Sequence, residues 1–144
     1  VHKNLYSNHS YEEVDIQEYL EEIAQSLQTY TEYTIRTDID PVIIDMRIAM
    51  SLGLIFNEAV TNAIEHAFDT DEGNIDISFK QLGKRYRLCI QDNGKGFDTE
   101  QNYKSLGLSL MKDLSLTLPH STIKIEAKAG TRIQIYFDKE EENA

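Results

Sequence analysis

The chain holds a single cysteine, Cys89, so no internal disulfide can form, and a lone thiol inside an apolar run reads as a small core residue. That usage fits a reducing compartment. Positive charge is scarce: 14 lysines and arginines stand against 25 aspartates and glutamates, a formal net charge of −11. Nucleic acid and anionic membrane both need a basic face, so neither is expected as a partner. An anionic small ligand stays open, provided that a bound cation, a helix N-terminus or a few well-aimed amides receive it. No stretch has the length and apolarity of a membrane span or the pattern of a signal peptide, so the expectation is a cytoplasmic domain without direct membrane contact. Low-complexity tracts and internal repeats are missing too, and a 40% hydrophobic content over 144 residues suits one domain with one core. The first residue is Val rather than Met, which suggests a piece of something longer.

What is present falls into an ordered series of elements. Residues 1–13 are polar and unpatterned and read as a linker. From Val14 the period is helical: Asp15 is an N-cap with Glu18 three residues on, and Ile16, Tyr19, Leu20, Ile23 and Leu27 repeat along one side to about Tyr30. TEYTIRTDI predicts a strand closed by Pro41. Asp45 can cap a second helix running to about Phe68, with Leu52, Phe56, Ala59, Val60, Ala63 and Ala67 on its core face. NIDISFKQL and RYRLCIQD predict a hairpin that turns at Gly83. A third helix, LGLSLMKDLSLTL, stops at Pro119, and STIKIEA and TRIQIYF form a last strand pair joined through KAG. The expected architecture is α+β, a two-layer α/β sandwich: a mixed, mostly antiparallel sheet covered on one face by three helices. Its body spans residues 14–138, with an acidic tail over 139–144.

Four features along this series could carry chemistry. At about 100° per residue, Glu58, Asn62 and Glu65 share a side of the second helix, with His66 at its margin. A carboxylate and a carboxamide at i and i+4 can orient or deprotonate an incoming group and ligate a hard cation; the same pattern also occurs on solvated helix faces. DNGKGF follows a strand, so Asp92 sits at its end, and Gly94 and Gly96 can turn with positive φ and approach a ligand. A tight loop with an Asx-turn reads the same way. Gly107 stands at the start of the third helix, where free N–H groups can receive phosphate oxygens or simply begin a helix. Gly130 and Thr131 enter the final strand, as a plain hairpin turn or with a hydroxyl reaching a ligand.

Taken in this order, the four resemble the boxes of the superfamily that unites DNA gyrase, the heat-shock chaperone, histidine kinases and MutL. NEAVTNAIEHA resembles its N box, Asp92-Asn93-Gly94-Lys95-Gly96 its first glycine box, Leu106-Gly107-Leu108 its second, and Gly130-Thr131 its late Gly-Thr. The likeness covers roughly residues 14 to 137. Within the superfamily the run LGLIFNEAVTNAIEHAF looks like the catalytic domain of sensor histidine kinases. The resemblance implies a Bergerat-type ATP fold with ATP and Mg²⁺ as ligands. By the same resemblance Asn62 coordinates the metal, Glu58 orients or activates the attacking group, and Asp92 reads the adenine amine between Gly94 and Gly96. It further implies phosphate contacts at Gly107 with Leu106 and Leu108, and support of Asp92 and adenine by Thr131.

The likeness has departures. Glu65 stands where many histidine kinases carry a phosphate-approaching Lys, which shifts phosphate binding toward Lys104, His66 or the lid amides. The segment between Phe97 and Gly107 is short, so the lid should be small. His2, His9, His66 and His120 are the only histidines, and none lies on a two-helix hairpin that could accept phosphate. The resemblance therefore implies a chain, monomeric in isolation, that binds ATP without phosphorylating itself. Its partners would be the histidine-bearing dimerisation domain of the same protein and a response regulator receiver domain downstream. Two alternatives stand beside it: an anti-sigma-factor serine kinase, and a degenerate domain that binds a partner without catalysis.

Overall fold

The computed structural model describes residues 12–96, 107–127 and 129–139. The chain opens with β1 (Glu13–Asp15), α1 (Ile16–Gln28), β2 (Thr34–Ile39) and β3 (Ile43–Asp45). Then come α2 (Met46–Asn62), continued by a π-helical turn over Ala63–Ala67, and the hairpin β4 (Asn74–Leu82) and β5 (Arg85–Asp92). Last are α3 (Leu108–Ser115), β6 (Thr122–Glu126) and β7 (Arg132–Asp138). Five strands form the main sheet in the order β2-β4-β5-β7-β6. β2 pairs with β4 in parallel, and the remaining pairs are antiparallel.

Alternation along the strands decides which face is covered. Ile75, Ile77 and Phe79 of β4, Tyr86, Leu88 and Ile90 of β5, and Ile133, Ile135 and Phe137 of β7 are all buried. They meet Ile16 and Leu20 of α1, Leu52, Phe56 and Val60 of α2, and Met111 of α3. The other face is polar, as an antiparallel sheet with one wet side allows. Cys89 belongs to that outer face, opposite Ser78 and Gln134 and half-buried, rather than to the core. The period-2 pattern of RYRLCIQD already groups it with Arg87 and Gln91, a signal that its apolar neighbours hide.

Local chemistry sets the helix starts. The Asp15 carboxylate accepts from the Glu18 N–H at 3.2 Å, and Asp45 accepts from the Arg47 N–H at 2.7 Å, each satisfying a donor that the first turn leaves open. Gln28 at the end of α1 closes the exposed edge of β2. Its side chain accepts from the Ile35 N–H at 2.9 Å and donates to the Tyr33 carbonyl at 2.7 Å.

Three features differ from the sequence reading. β1 and β3 form a separate two-stranded antiparallel sheet, with Glu13 opposite Asp45. Each is three residues long, too short to show a period, and each exists because the other is beside it. The second helix does not stay α-helical to Phe68 but widens to π over Ala63–Ala67. The third helix begins at Leu108 and ends at Ser115, well before Pro119. Among the described residues no helix is long and apolar enough to cross a membrane.

Candidate functional site

A cleft opens between the end of α2, the ends of β5 and β7, and α3. Its walls include Ala59, Asn62, Ala63, His66 and Ala67 from the helix side and Ile90, Asp92, Thr131 and Ile133 from the sheet side. Gly96, Leu108 and Met111 complete it. Mostly apolar walls with a few polar groups are the character of a small-molecule site.

Asp92 is the buried polar end, 5% exposed. It is the last residue of β5 and takes the core-facing parity of Leu88 and Ile90, so the strand aims its carboxylate inward. The Gly94 N–H donates to Oδ1 at 2.9 Å and the Thr131 N–H donates to the same oxygen at 3.2 Å. Asp92 donates its own N–H to the Thr131 carbonyl at 3.0 Å. Both side-chain bonds fall on one oxygen, so Oδ2 has no partner among the described residues and can accept a hydrogen bond from a ligand. Burial pushes the Asp92 carboxyl above its ordinary pKa, against the two backbone N–H bonds that lower it. Asn93, the neighbour in the box, serves the sheet instead: its Oδ1 accepts from the Asn74 N–H at 2.8 Å.

The two box glycines act differently. Gly96 has φ of +78° and uses the left-handed backbone. Gly94 does not: a Cβ there would overlap the Ala67 carbonyl oxygen, and the Lys95 N–H donates to that oxygen at 2.8 Å. Glycine at 94 is thus required by close approach to the π turn, not by positive φ as the sequence suggested. Gly130 lies equally close to Asp92, with φ of +103° and room for no Cβ beside the Asp92 carbonyl. The sequence reading had Gly130 in its late Gly-Thr pair without naming it as a site residue.

Asn62 and His66 also line the cleft. His66, four residues after Asn62, lies on the side of Ala59 and Ala63 that lines the cleft, and Glu65 lies on the other side of Asn62. Glu65 is exposed, does not line the cleft, and lies 3.7 Å from His66 Nε2. The expected stripe of Glu58, Asn62 and Glu65 is therefore corrected to Asn62 and His66. Glu58 sits just outside, its carboxylate packed against Gly107. Lys104 and Leu106 lie outside the described residues. Lys95, the cation of the glycine box, is bound 3.1 Å from Asp69.

The sequence reading missed the role of Ile90, Met111 and Ile133 as cleft walls. Spacing could have found two of them, because Ile90 is two residues before Asp92 and Ile133 two after Thr131, on the same strand faces. Ala59, Ala63 and Ala67 were read as core; they are core and also the cleft wall, where a larger side chain would fill the space. Among the described residues no group of three His, Cys, Asp or Glu side chains could hold a metal alone. The donor set still fits Mg²⁺, which takes few protein oxygens and keeps water and phosphate for the rest. Asn62, Asp92 and Thr131 are the lining residues with side-chain oxygens.

A helix-covered mixed sheet thus carries a cleft whose walls include the buried Asp92 and the amide of Asn62. Residues 48–141 match the family of histidine kinase-, DNA gyrase B- and HSP90-like ATPases, and the chain belongs to it. It is 35% identical over 64 residues to the serine-protein kinase RsbW of Bacillus velezensis, a match covering 44% of this chain and 36% of that one. It is 34% identical over 98 residues to the sensor histidine kinase YdfH of Bacillus subtilis, covering 65% of this chain and 23% of that one. The fold superposes with a TM-score of 0.79 on the histidine kinase domain of a blue-light-activated histidine kinase from Erythrobacter litoralis. That pair is 21% identical over 88% of this chain and 62% of the other. The chain spans about a third of the length of the serine kinases and about a quarter of the sensor kinase that it matches.

Proposed function

We propose that this chain is the Mg-ATP-binding catalytic domain of a two-component sensor histidine kinase. It donates the γ-phosphoryl of ATP to a histidine on a separate dimerisation domain, and a response regulator receives the group downstream. The observation that carries the reading is Asp92: both backbone N–H bonds engage Oδ1, which leaves Oδ2 as the acceptor for the exocyclic amine of adenine. Ile90, Ile133 and Met111 provide apolar walls for the base. Asn62 would hold Mg²⁺, which supplies charge neutralisation for the phosphates and admits ATP to an acidic protein. His66, Gly107, Leu108, Lys104 and Leu106 receive the phosphates, and Glu58 orients the attacking group. Such a transfer is positioning plus electrostatics, so a chain that lacks the acceptor hairpin binds nucleotide without phosphorylating itself. The domain is cytoplasmic and monomeric in isolation.

The likeness to the sensor kinase YdfH runs over 98 residues against 64 for the serine kinases, which favours a histidine acceptor. The serine-kinase reading keeps support from the identity in that shorter stretch. Titration calorimetry with a non-hydrolysable ATP analogue, with and without Mg²⁺, tests the site on the chain and on Asp92→Ala. Saturable, Mg²⁺-assisted binding that the substitution removes supports the reading; no binding under any condition sinks it. The acceptor class is read from the product when a histidine-bearing hairpin domain or a serine-bearing protein substrate is supplied with ATP. Acid-labile phosphate on the hairpin supports the histidine kinase, and acid-stable phosphate on serine supports the alternative.

A further inference from the structure

Phe68 is not a wall of the cleft, yet it stands between two residues that hold the loop of Gly94 and Lys95. On one side, the Ala67 carbonyl accepts the Lys95 N–H at 2.8 Å and lies directly against Gly94. On the other, the Asp69 carboxylate accepts from Lys95 Nζ at 3.1 Å. Gly94 in turn donates its N–H to Asp92 Oδ1 at 2.9 Å. The position of the Ala67–Asp69 step is thereby passed to the buried carboxylate of the cleft through the Ala67 carbonyl and the Gly94 N–H.

That step is itself anchored to the sheet. The Phe68 ring packs on the Tyr33 ring, with centroids 4.4 Å apart and planes tilted by 44°. Gly73 leaves the room for it, because a Cβ there would overlap the Phe68 ring. Tyr33 Oη donates to the Thr70 carbonyl at 3.0 Å, two residues beyond Phe68. Tyr33 is fixed at the entry to β2, where Gln28 Nε2 donates to its carbonyl at 2.7 Å and its own N–H donates to Thr31 Oγ1 at 3.1 Å. The next residue, Thr34, donates its N–H to the Gly73 carbonyl at 2.9 Å. The ring pair thus ties the exit of the helix to the first strand of the main sheet, on the outer side of the Ala67 carbonyl.

We propose that Phe68 and Tyr33 are positioning residues for adenine recognition. Their rings hold Ala67 and Asp69 against Gly94 and Lys95, which keeps Oδ1 of Asp92 bonded and Oδ2 available to the exocyclic amine. This step rests on the ATP reading given above. Neither ring touches the nucleotide, and both act through the Gly94 N–H. A residue that only stabilises the fold weakens every nucleotide alike, whereas one that places Asp92 weakens those that present an amine to it.

The test is calorimetric titration, with Mg²⁺, of a non-hydrolysable ATP analogue and of its counterpart built on unsubstituted purine, which lacks the exocyclic amine. The proteins are the chain, Phe68→Leu, Tyr33→Leu and Tyr33→Phe. Phe68→Leu keeps apolar bulk and loses the ring contact, and Tyr33→Phe keeps the ring and loses only the bond to Thr70. Phe68→Leu and Tyr33→Leu should each weaken the ATP analogue by roughly five- to tenfold and the purine analogue by less than about twofold. Tyr33→Phe should return ATP binding to within about threefold of the parent. In the nucleotide-free chain, hydrogen exchange at Gly94 and Lys95 should accelerate in Phe68→Leu while Leu88, in the middle of β5, keeps its rate. Faster exchange at Leu88 would report a folding defect in Phe68→Leu, and the two Tyr33 variants then decide. Equal weakening of both analogues, or an unchanged preference for the amine, overturns the proposal. If the parent binds neither analogue, the ATP reading fails and the proposal with it; if the parent prefers the amine and the variants keep that preference, only the positioning role fails.

Discussion

Replacing Asp92 by Asn separates the two things its carboxylate does. The amide oxygen of Asn can still accept from the Gly94 and Thr131 N–H groups, now 2.9 and 3.2 Å from Oδ1, so the loop keeps its anchor. The other terminus becomes an NH₂, a donor facing the adenine amine, which is also a donor. A hydrogen bond to a charged acceptor is worth about 1.5–3 kcal/mol, and an unsatisfied buried donor costs about 1–3 kcal/mol more. Together they remove about 2.5–6 kcal/mol, or roughly 10²–10⁴-fold in Kd. Stability should move the other way. Burial raises the Asp92 pKa in the folded state, so the native protein binds more protons than the unfolded chain between the ordinary value of 3.8 and the raised one. Stability therefore falls as pH rises through that window, and the ionised group is a liability at neutral pH. Asn carries no such charge, so Asp92→Asn should melt higher than the parent near neutrality, with the gap closing toward pH 3.8. Thermal melts across the acid range and calorimetry with an ATP analogue read both effects. Analogue binding within about tenfold of the parent, or a lower melting temperature at neutral pH, would refute the reasoning.

Two further substitutions test how the cleft is supported. Asp45→Ala removes the cap of α2 and should cost about 1–2 kcal/mol in denaturant unfolding. The Arg47 side-chain hydrogen bond holds the Asp45 carboxyl below its ordinary value, so its contribution is full above 3.8 and is lost as pH falls through the lowered folded pKa; a gap to the parent that persists unchanged in acid would contradict this. Gly94→Ala drives a methyl into the Ala67 carbonyl and should cost about 1–3 kcal/mol. Because the Lys95 N–H donates to that carbonyl, hydrogen exchange at Lys95 should accelerate, and an unchanged rate would show that the loop absorbs the methyl elsewhere.

Much of the scaffold follows from local chemistry that a sequence carries openly. The bounds of β4 and β5 match the alternating runs NIDISFKQL and RYRLCIQD, because period 2 is a property of the strand itself. Asp15 and Asp45 are legible as caps because a carboxylate two or three residues ahead of a free N–H needs no tertiary partner. The order of the boxes around Asn62, Asp92, Gly107 and Thr131 was readable through its resemblance to a known superfamily, and it pointed to an ATPase-family domain. Packing decided the rest. The strands β1 and β3 exist only as a pair, so neither three-residue run announces itself. The widening of the helix to π over Ala63–Ala67 leaves no mark in the sequence pattern. Gly94 is small because the Ala67 carbonyl comes to meet it, and Gly107 because the backbone there takes φ of +67°. Periodicity and capping are settled within a few residues of chain, whereas the residues that share a cleft are settled by which surfaces meet.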